Sequence, residues 1–385
     1  MPLMKDLLSL FCVLFTPFYL FAQQTINATI THDGLQREYI LYVPAGYSTG
    51  TPAALVLNFH GYTSNANDQM WYGDFRPISD TAGFIIAHPM GTKDNQNITH
   101  WNVGWGGSTV DDVSFTSDLI DSISAEYNID QGRVYSTGMS NGGFMSYVLA
   151  CELSNKIAAI ASVTGSMTPI KLPSCQAQHP TPVMQIHGTA DPVVAYTGDN
   201  FSVHIDTTVK YWVDYNNCDQ TAIVTSVPNT NIIDGSTVTH YAYNNGSNGV
   251  SVELFKVSLG AHTWPGSLFA GTGTNHDIDA SEEIWDFFSR YDINGLISNI
   301  DEVLQNNNPK IYPNPFSDIL TIEFNEANPD GYTLELYSMI GQMERRVRNI
   351  KTKTASISRK QLPSGVYLYN VISDGRIFSG KLIID

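Results

Sequence analysis

Basic residues are scarce in this sequence of 385 residues, which has 20 Lys and Arg against 37 Asp and Glu and a net charge of −17 at pH 7. So acidic a balance argues against nucleic acid or an anionic membrane surface as the main partner. Clustered metal ligands, a phosphate-binding loop and a dinucleotide fingerprint are also lacking, so we expect no metal and no cofactor. The residues are 42% hydrophobic and 15% charged, which is enough apolar material for a large core.

Long apolar runs are absent after the first residues of the chain. Lys5 precedes an apolar run from Leu7 to Phe21, and Ala22 follows it as a small residue at the expected cleavage point. Because the run is short for a membrane helix, it predicts a signal peptide over residues 1–22 that is removed on export. The mature protein is then expected to have no membrane span and to be secreted or held at the cell surface.

Cysteine is rare, with four in the chain, and Cys12 lies inside the predicted signal peptide. Cys151 ends a predicted helix and Cys175 lies in a loop before the next predicted strand. Since an exported protein can keep a disulfide, we predict a bridge between these two residues. Three buried free thiols are the alternative, and Cys218 has no obvious partner.

Short β-branched runs alternate with amphipathic or loop segments through most of the chain. Several runs are apolar almost throughout, as expected for strands that are covered on both faces. Residues 115–127 place apolar side chains on one helical face, and Ser281–Phe288 is predicted as a closing helix with Ser281 as its cap. This alternation predicts an α/β fold with a doubly wound, mostly parallel sheet. The predicted strands are Tyr39–Val43, Ala54–Phe59, Phe84–His88, Arg133–Thr137, Ala158–Val163, Val183–His187 and Val252–Val257.

The character of the chain changes near residue 297. Gln305–Pro309 is polar and rich in helix breakers, and residues 310–385 contain short β-prone runs and turns. This tail has ten Lys and Arg against eight Asp and Glu, and it contains no histidine. We therefore predict an enzymatic domain over residues 23–296, a linker over 297–309 and a small, sandwich-like all-β domain over 310–385.

A turn between a β-prone run and a helix-like run carries the strongest chemical signal. Gly138-x-Ser140-x-Gly142 has the pattern of a nucleophile elbow, in which small neighbours allow a strained turn to present the serine hydroxyl. The helix that follows would direct its free N–H groups at the reacting centre. The sequence thus predicts Ser140 as a nucleophile.

Serine needs a base and an orienting acid, and an α/β sheet supplies them on loops after later strands. Asp191 follows the strand that ends at His187, and His262 follows the strand that ends at Val257. The order Ser140, Asp191, His262 predicts a catalytic triad. His276 is a rival base, Asp199 and Asp214 are rival acids, and His187 is expected to be structural.

An oxyanion hole requires two fixed N–H donors. We predict the backbone N–H of Asn141 and that of Tyr62, with Thr63 as the next candidate for the second donor. His60 is expected to shape the loop rather than to carry a proton. Three tryptophans near these loops are candidates for the substrate cleft, and packing explains them equally well: Trp264, Trp105 and Trp101.

Several separated motifs resemble those of polyhydroxybutyrate depolymerase-like esterases, which group with the feruloyl and acetylxylan esterases of carbohydrate esterase family one. The matching segments are Val110–Val113, Gly138–Gly143, Ala150–Glu152, His187–Val193 and Gly260–Gly266. The resemblance implies an α/β-hydrolase with Ser140, Asp191 and His262 as its triad, and it supports the Cys151–Cys175 bridge. One departure is Tyr62, because relatives often carry cysteine or glutamine after the His-Gly pair.

The tail is similar to the C-terminal sorting domain of type IX secretion in Bacteroidetes. The matching segments are Ile311–Phe316, Leu336–Gln342 and Leu362–Tyr367. The resemblance implies recognition by outer-membrane secretion machinery, whereas a carbohydrate-binding β module is the alternative.

The whole sequence predicts a secreted serine carboxylesterase that hydrolyses ester groups on plant or algal polysaccharides. Feruloyl esters are the first substrate candidate and acetyl esters the second. An extracellular polyester depolymerase is the competing enzyme. A non-catalytic adhesin on a hydrolase scaffold is the hypothesis from another class.

Overall fold

The computed structural model describes residues 23–269, 271–297, 309–324, 331–338, 342–360, 362–373 and 376–385. The chain divides into two compact units between Ile297 and Ser298, and each unit is described by itself. The predicted signal peptide, and residues 298–308 of the predicted linker, lie outside the described residues. None of the described helices is long and apolar enough to cross a membrane.

The first unit alternates strands with six helices. Its strands are β1 Gln24–His32, β2 Leu35–Val43, β3 Ala53–Phe59, β4 Ile85–Pro89, β5 Thr92–Lys93, β6 Thr99–His100, β7 Ile129–Met139, β8 Ala159–Val163, β9 Val183–Gly188, β10 Ile223–Ser226, β11 Thr237–Tyr243, β12 Val252–Ser258, β13 Tyr291–Asp292 and β14 Gly295–Leu296. Its helices are α1 Ala66–Tyr72, α2 Arg76–Ala82, α3 Asp112–Glu126, α4 Asn141–Glu152, α5 Ile205–Tyr215 and α6 Ala280–Phe288, with 3₁₀ turns at Leu172–Ser174 and Ser247–Gly249.

Ten of these strands form one twisted sheet in the order β1-β2-β4-β3-β7-β8-β9-β12-β11-β10. The central pairings from β4 to β12 are parallel, and the pairings outside them are antiparallel. Strand β3 is buried along its whole length, and its alternate residues enter separate cores on the two faces, Leu55 in one and Val56 in the other. The predicted α/β-hydrolase sheet is confirmed, with antiparallel strands added at both edges.

Three strands of this sheet lack the apolar, β-branched pattern from which the other strands were predicted. β1 exposes most of its side chains, β10 exposes all four, and β11 is only partly buried. Polar edge strands have no continuous apolar run, so their pairing with a neighbour decides their structure. The cap of α6 also differs from the prediction, because the Asp279 carboxylate accepts the N–H groups of Ser281 and Glu282.

The second unit is all-β, as predicted. Its strands are β15 Lys310–Tyr312, β16 Ile319–Glu323, β17 Tyr332–Ser338, β18 Met343–Ile350, β19 Thr354–Ser358, β20 Gly365–Ser373 and β21 Arg376–Ile384. They form a three-stranded sheet, β15-β16-β19, and a four-stranded sheet, β18-β17-β20-β21. Buried apolar side chains from both sheets, such as Leu320 and Val371, share one core.

A disulfide joins Cys151 near the end of α4 to Cys175, with 4.8 Å between the Cα atoms and a sequence separation of 24. Cys218 is a buried free thiol that donates weakly to the Val250 carbonyl. The bridge ties the helix behind the elbow to the loop that leads into β9. It therefore restrains the segment between two parts of the predicted active site.

Removing the bridge in a Cys151→Ser/Cys175→Ser variant is expected to lower the free energy of unfolding by about 3 kcal/mol, because the unfolded chain regains the entropy of a closed loop. Urea unfolding with and without reductant measures this loss. Reductant should destabilise the native protein and leave the double variant unchanged. An equal effect of reductant on both proteins would contradict the prediction.

Candidate active site

The turn between β7 and α4 holds Ser140 in a conformation that is rare for a residue with a side chain. Its φ is 53° and its ψ is −120°, a strained geometry that a surrounding structure must stabilise. A β-carbon on Gly138 would lie only 2.5 Å from the Phe59 carbonyl oxygen, and one on Gly142 would lie only 2.1 Å from the same atom. Glycine is therefore required at both positions, because the elbow packs directly against the end of β3.

The residue after the nucleophile is anchored through its side chain. The Asn141 amide accepts the Trp101 N–H at 2.6 Å and donates to the Trp101 carbonyl at 3.1 Å. Its backbone N–H belongs to the first turn of α4, where N–H groups have no partner within the helix. These two hydrogen bonds to Trp101 fix the Asn141 peptide, which would supply one oxyanion donor.

The loop after β3 is shaped by His60, as the sequence predicted. The ring is fully buried, with its Nδ1 2.7 Å from the Gly61 carbonyl and its Nε2 accepting the Gly91 N–H at 3.0 Å. These two bonds select the tautomer with the proton on Nδ1. Burial lowers the pKa of His60 to about 4, so the neutral ring acts as a brace between two loops.

The second oxyanion donor predicted from this loop is Tyr62. The loop runs beside the nucleophile, since a β-carbon on Gly61 would stand 3.5 Å from the Ser140 Cβ. The alternative donor, Thr63, is wrong because its N–H already donates to the Thr99 carbonyl at 3.0 Å. Tyr62 therefore remains the predicted donor on this side.

The predicted acid and base lie together at the ends of neighbouring parallel strands, β9 and β12. His262 Nδ1 is 2.7 Å from the Asp191 Oδ2. The other carboxylate oxygen accepts the N–H groups of Val193 and Val194 at 2.8 and 2.9 Å. The Asp191 carboxylate is buried while the His262 side chain is partly accessible. This arrangement orients the imidazole so that its Nε2 can face the nucleophile.

Ser140 and His262 line one cavity of about 750 Å³. Aromatic residues form part of its wall, among them Trp71, Tyr72 and Phe269. The structure thus brings the predicted nucleophile, base and acid to one place at the same edge of the sheet. A second cavity of about 540 Å³ also reaches Ser140.

The rival residues have other partners. His276 is exposed and lines neither cavity, and Asp214 pairs with Lys210 on α5. Asp199 accepts the N–H groups of Phe201 and Ser202 and so caps a turn. His187 is fully buried beneath Asp191; its Nδ1 contacts the Gln185 amide at 3.2 Å and its Nε2 the Val194 carbonyl at 2.8 Å.

One of the three predicted cleft tryptophans, Trp264, is wrong. Trp264 is 1% exposed, packs against Phe75 and donates its indole N–H to Ser281. Trp101 is among the residues that line the second cavity, although its side chain is fully buried, and its role in a cleft stays a prediction. Trp105 lines that cavity, with its indole N–H bonded to the Phe201 carbonyl at 3.0 Å. Its role in a cleft stays a prediction.

Sequence reasoning missed the residues that give the first cavity its aromatic wall. Trp71 and Phe269 are 45% and 66% exposed, and their rings meet edge to face with 6.1 Å between centroids. The Arg76 guanidinium lies 3.8 Å above the Trp71 ring and pairs with Asp74. No motif marks these residues, because their meeting depends on how α1 packs beside the loop after His262. Among the described residues, no group of three or more His, Cys, Asp or Glu is placed to hold a metal ion.

Comparison with known families finds a match for each part of the chain. Residues 37–205 match the family described as Esterase PHB depolymerase, and residues 310–385 match the Secretion system C-terminal sorting domain. The first match includes Ser140 and Asp191, whereas His262 lies beyond it. These matches confirm the two resemblances that the motifs predicted.

Individual relatives include fungal esterases. The chain is 29% identical over 276 residues to the bifunctional acetylxylan esterase/xylanase XynS20E of Neocallimastix patriciarum. The aligned region covers 71% of this chain and 36% of that protein. The chain is 31% identical over 175 residues to the probable feruloyl esterase C of Aspergillus flavus. The aligned region covers 43% of this chain and 59% of that protein. The chain therefore spans about a third of the length of the first relative and less than two thirds of the second.

Among solved structures, the acetyl xylan esterase from Aspergillus awamori matches with a TM-score of 0.48 and 13% identity, over 70% of this chain and 99% of that one.

The buried, neutral state of His60 predicts how stability depends on pH. Its folded pKa of about 4 lies below the ordinary value of 6.5, so between these values the unfolded chain binds a proton that the folded chain does not. The free energy of unfolding should therefore fall with decreasing pH from 6.5 towards 4, by about 1.4 kcal/mol per pH unit for this one group.

Urea unfolding of the native protein and of a His60→Asn variant at pH 7, 6 and 5 measures this slope. In the variant, the slope of the free energy of unfolding against pH should be smaller by the contribution of about one proton, whatever the stability of the variant at pH 7. Equal slopes for the two proteins would contradict the assignment of His60 as a buried neutral brace.

Proposed function

Because the chain combines an esterase domain of the polyhydroxybutyrate depolymerase type with a C-terminal sorting domain, we propose that it is a secreted serine carboxylesterase. The observation that carries this proposal is the geometry around one cavity. Ser140 stands on a strained turn, His262 lines the same cavity, and a buried carboxylate bonds to the far side of His262 at 2.7 Å.

Acyl transfer follows from these positions. The Ser140 hydroxyl attacks the ester carbonyl while His262 Nε2 takes its proton, and the backbone N–H groups of Asn141 and Tyr62 stabilise the oxyanion. His262 then gives the proton to the leaving alcohol, which departs from an acyl-Ser140 intermediate. Water, activated by His262, releases the acid. The Asp191 carboxylate accepts the His262 Nδ1–H and stabilises the imidazolium that forms in both steps.

The substrate we propose is an ester group on a plant or algal polysaccharide. A feruloyl ester is the first candidate and an acetyl ester the second. Support comes from the relatives described as feruloyl and acetylxylan esterases and from exposed aromatic rings beside the nucleophile. Such rings suit stacking against sugar or phenol faces. The family name favours one second candidate, an extracellular polyester depolymerase.

The tail is proposed to direct export across the outer membrane through type IX machinery and to leave chemistry to the first unit. Its match to a sorting domain supports this role. The lack of histidine in residues 310–385 means that it cannot supply a Ser-His-Asp set. Machinery at the outer membrane would recognise it and then remove it or attach the enzyme to the surface.

Replacing Ser140 by alanine is expected to lower kcat on 4-nitrophenyl acetate by at least about 10⁴-fold, because no other group on the strained turn can form the acyl intermediate. Asp191→Asn should cost about 10⁴-fold by disturbing the His262 tautomer. Ser124→Ala, on α3 and bonded only to the Ile120 carbonyl and the Gln131 amide, is the matched control and should keep native activity.

The same preparation, given feruloylated arabinoxylan, acetylated xylan and a polyhydroxybutyrate film, separates the two candidate substrates. Release of ferulate or acetate supports the proposal. Release of hydroxybutyrate alone would favour the polyester depolymerase, and turnover that persists in Ser140→Ala would refute the serine mechanism.

Deleting residues 310–385 is expected to leave esterase activity intact and to retain the enzyme in the periplasm, since only the tail would carry the outer-membrane address. Immunoblots of periplasm, membranes and culture medium, with activity assayed in each fraction, measure the outcome. The full-length chain serves as the control. Normal secretion of the truncated chain would contradict the sorting role.

A further inference from the structure

We propose that Tyr62 is a specificity-determining residue, a wall tethered to Asp94 that separates the site of the leaving alcohol from the site of an aromatic acyl group. This inference rests on the proposed esterase function and deepens it. It assigns the larger part of the acyl group to the cavity that faces Trp105 and Phe201.

Two cavities meet at the nucleophile, and Tyr62 and Ser140 are the only described residues that line both of them. The first, of about 750 Å³, contains His262 and the aromatic wall of Trp71 and Phe269. The second, of about 540 Å³, does not contain His262. Because both cavities reach Ser140 and share Tyr62, Tyr62 lies at the boundary between the two spaces.

The chemistry of the triad decides which part of an ester enters each cavity. His262 must hand its proton to the leaving alcohol oxygen, so the alcohol has to leave on the side that His262 lines. That side is the first cavity. The acyl group, on the other side of the scissile bond, then extends past Tyr62 into the second cavity, which Val193 and Val194 of the Asp191 loop also line.

The second cavity suits a bulky acyl group with a polar end. Aromatic residues form one part of its lining, Trp105, Phe144 and Phe201, and polar residues form much of the rest: Asp94, Asn95, Gln96, His100, Asn102, Asp199 and Ser202. Aromatic side chains together with polar groups that are fixed in place can hold an aromatic ligand in one orientation. An acetyl group would leave most of 540 Å³ empty, whereas a hydroxycinnamoyl group brings both a ring and hydrogen-bonding substituents.

The position of Tyr62 depends on a hydrogen bond rather than on packing, because its side chain is about one third exposed. Its hydroxyl donates to the Asp94 Oδ2 at 2.7 Å. The Asp94 Oδ1 in turn accepts the N–H groups of Gln96 and Ile98 at 2.8 and 3.0 Å. The Ile98 N–H and the Tyr62 hydroxyl lower the pKa of the Asp94 carboxyl, which keeps it an ionised acceptor at neutral pH.

The hairpin that carries Asp94 is itself pinned to the oxyanion loop. Thr63 N–H donates to the Thr99 carbonyl at 3.0 Å, and the Thr99 hydroxyl donates to the Ser64 carbonyl at 2.7 Å. The tether therefore joins two segments that are already held together, so it can fix the ring at little further cost in entropy. Without the tether the ring is free to turn into either cavity.

The test uses two substrates with the same leaving group, 4-nitrophenyl ferulate and 4-nitrophenyl acetate. Tyr62→Phe keeps the ring and the backbone N–H but removes the tether, and Asp94→Ala removes it from the other side. In both variants the ratio of kcat/KM for ferulate to that for acetate should fall by about tenfold, the effect of one lost hydrogen bond. Thermal unfolding monitored by circular dichroism verifies that both variants are folded.

Two further variants act as controls. Tyr42→Phe removes a phenol–carboxylate bond of similar length, to Asp80 at 2.8 Å, from a residue that lines neither cavity, and it should leave the ratio unchanged. Trp71→Ala alters the first cavity. It should also leave the ferulate-to-acetate ratio unchanged, while it lowers kcat/KM for feruloyl arabinose relative to methyl ferulate.

Each outcome bears on one claim. A native ratio in both tether variants, or a fall caused by Trp71→Ala instead, would overturn the inference and leave the esterase function standing. Hydrolysis of acetate but not of ferulate by the native protein would do the same. Absence of turnover on every ester by the native protein would overturn the proposed function together with the inference.

Discussion

The site depends on the contact between the elbow and the end of β3. The backbone at Gly138 and Gly142 approaches the Phe59 carbonyl so closely that neither position has room for a β-carbon. This contact holds Ser140 at a φ of 53° and sets the first turn of α4 beside the loop that carries Tyr62. The parallel strands on the other side of β7 then end at the same edge, where Asp191 and His262 meet. The free energy that maintains this strained turn comes from the buried sheet beneath it.

Much of this arrangement could be predicted from the sequence, because the central strands are apolar on both faces and end in glycine-containing loops. That pattern placed Asp191 and His262 at strand ends, and the strand order brought them within hydrogen-bonding distance. The edge strands β1, β10 and β11 carry no such pattern. Their polar residues pair only because the sheet already exists, and a single-sequence pattern does not contain that cause.

Exposure of individual side chains was the hardest property to predict. Trp264 follows His262 by two residues, yet it turns inward against Phe75 and Ser281, whereas Trp71 and Phe269 come from distant segments and meet at the surface. The sequence ranked Tyr62 above Thr63 as the second oxyanion donor, but the exclusion of Thr63 depends on a hydrogen bond to Thr99, 36 residues further along the chain. Such details follow from tertiary packing, since they depend on which loops lie next to each other.

The central claim is that Ser140 carries the acyl group during turnover. Rapid acid quenching of the enzyme with excess 4-nitrophenyl ferulate, followed by peptide mass spectrometry, tests it most directly. One feruloyl group is expected on the peptide that contains Ser140, and none on this peptide in Ser140→Ala. A feruloyl group on another residue, or steady turnover without any acylated peptide under conditions where deacylation limits the rate, would contradict it.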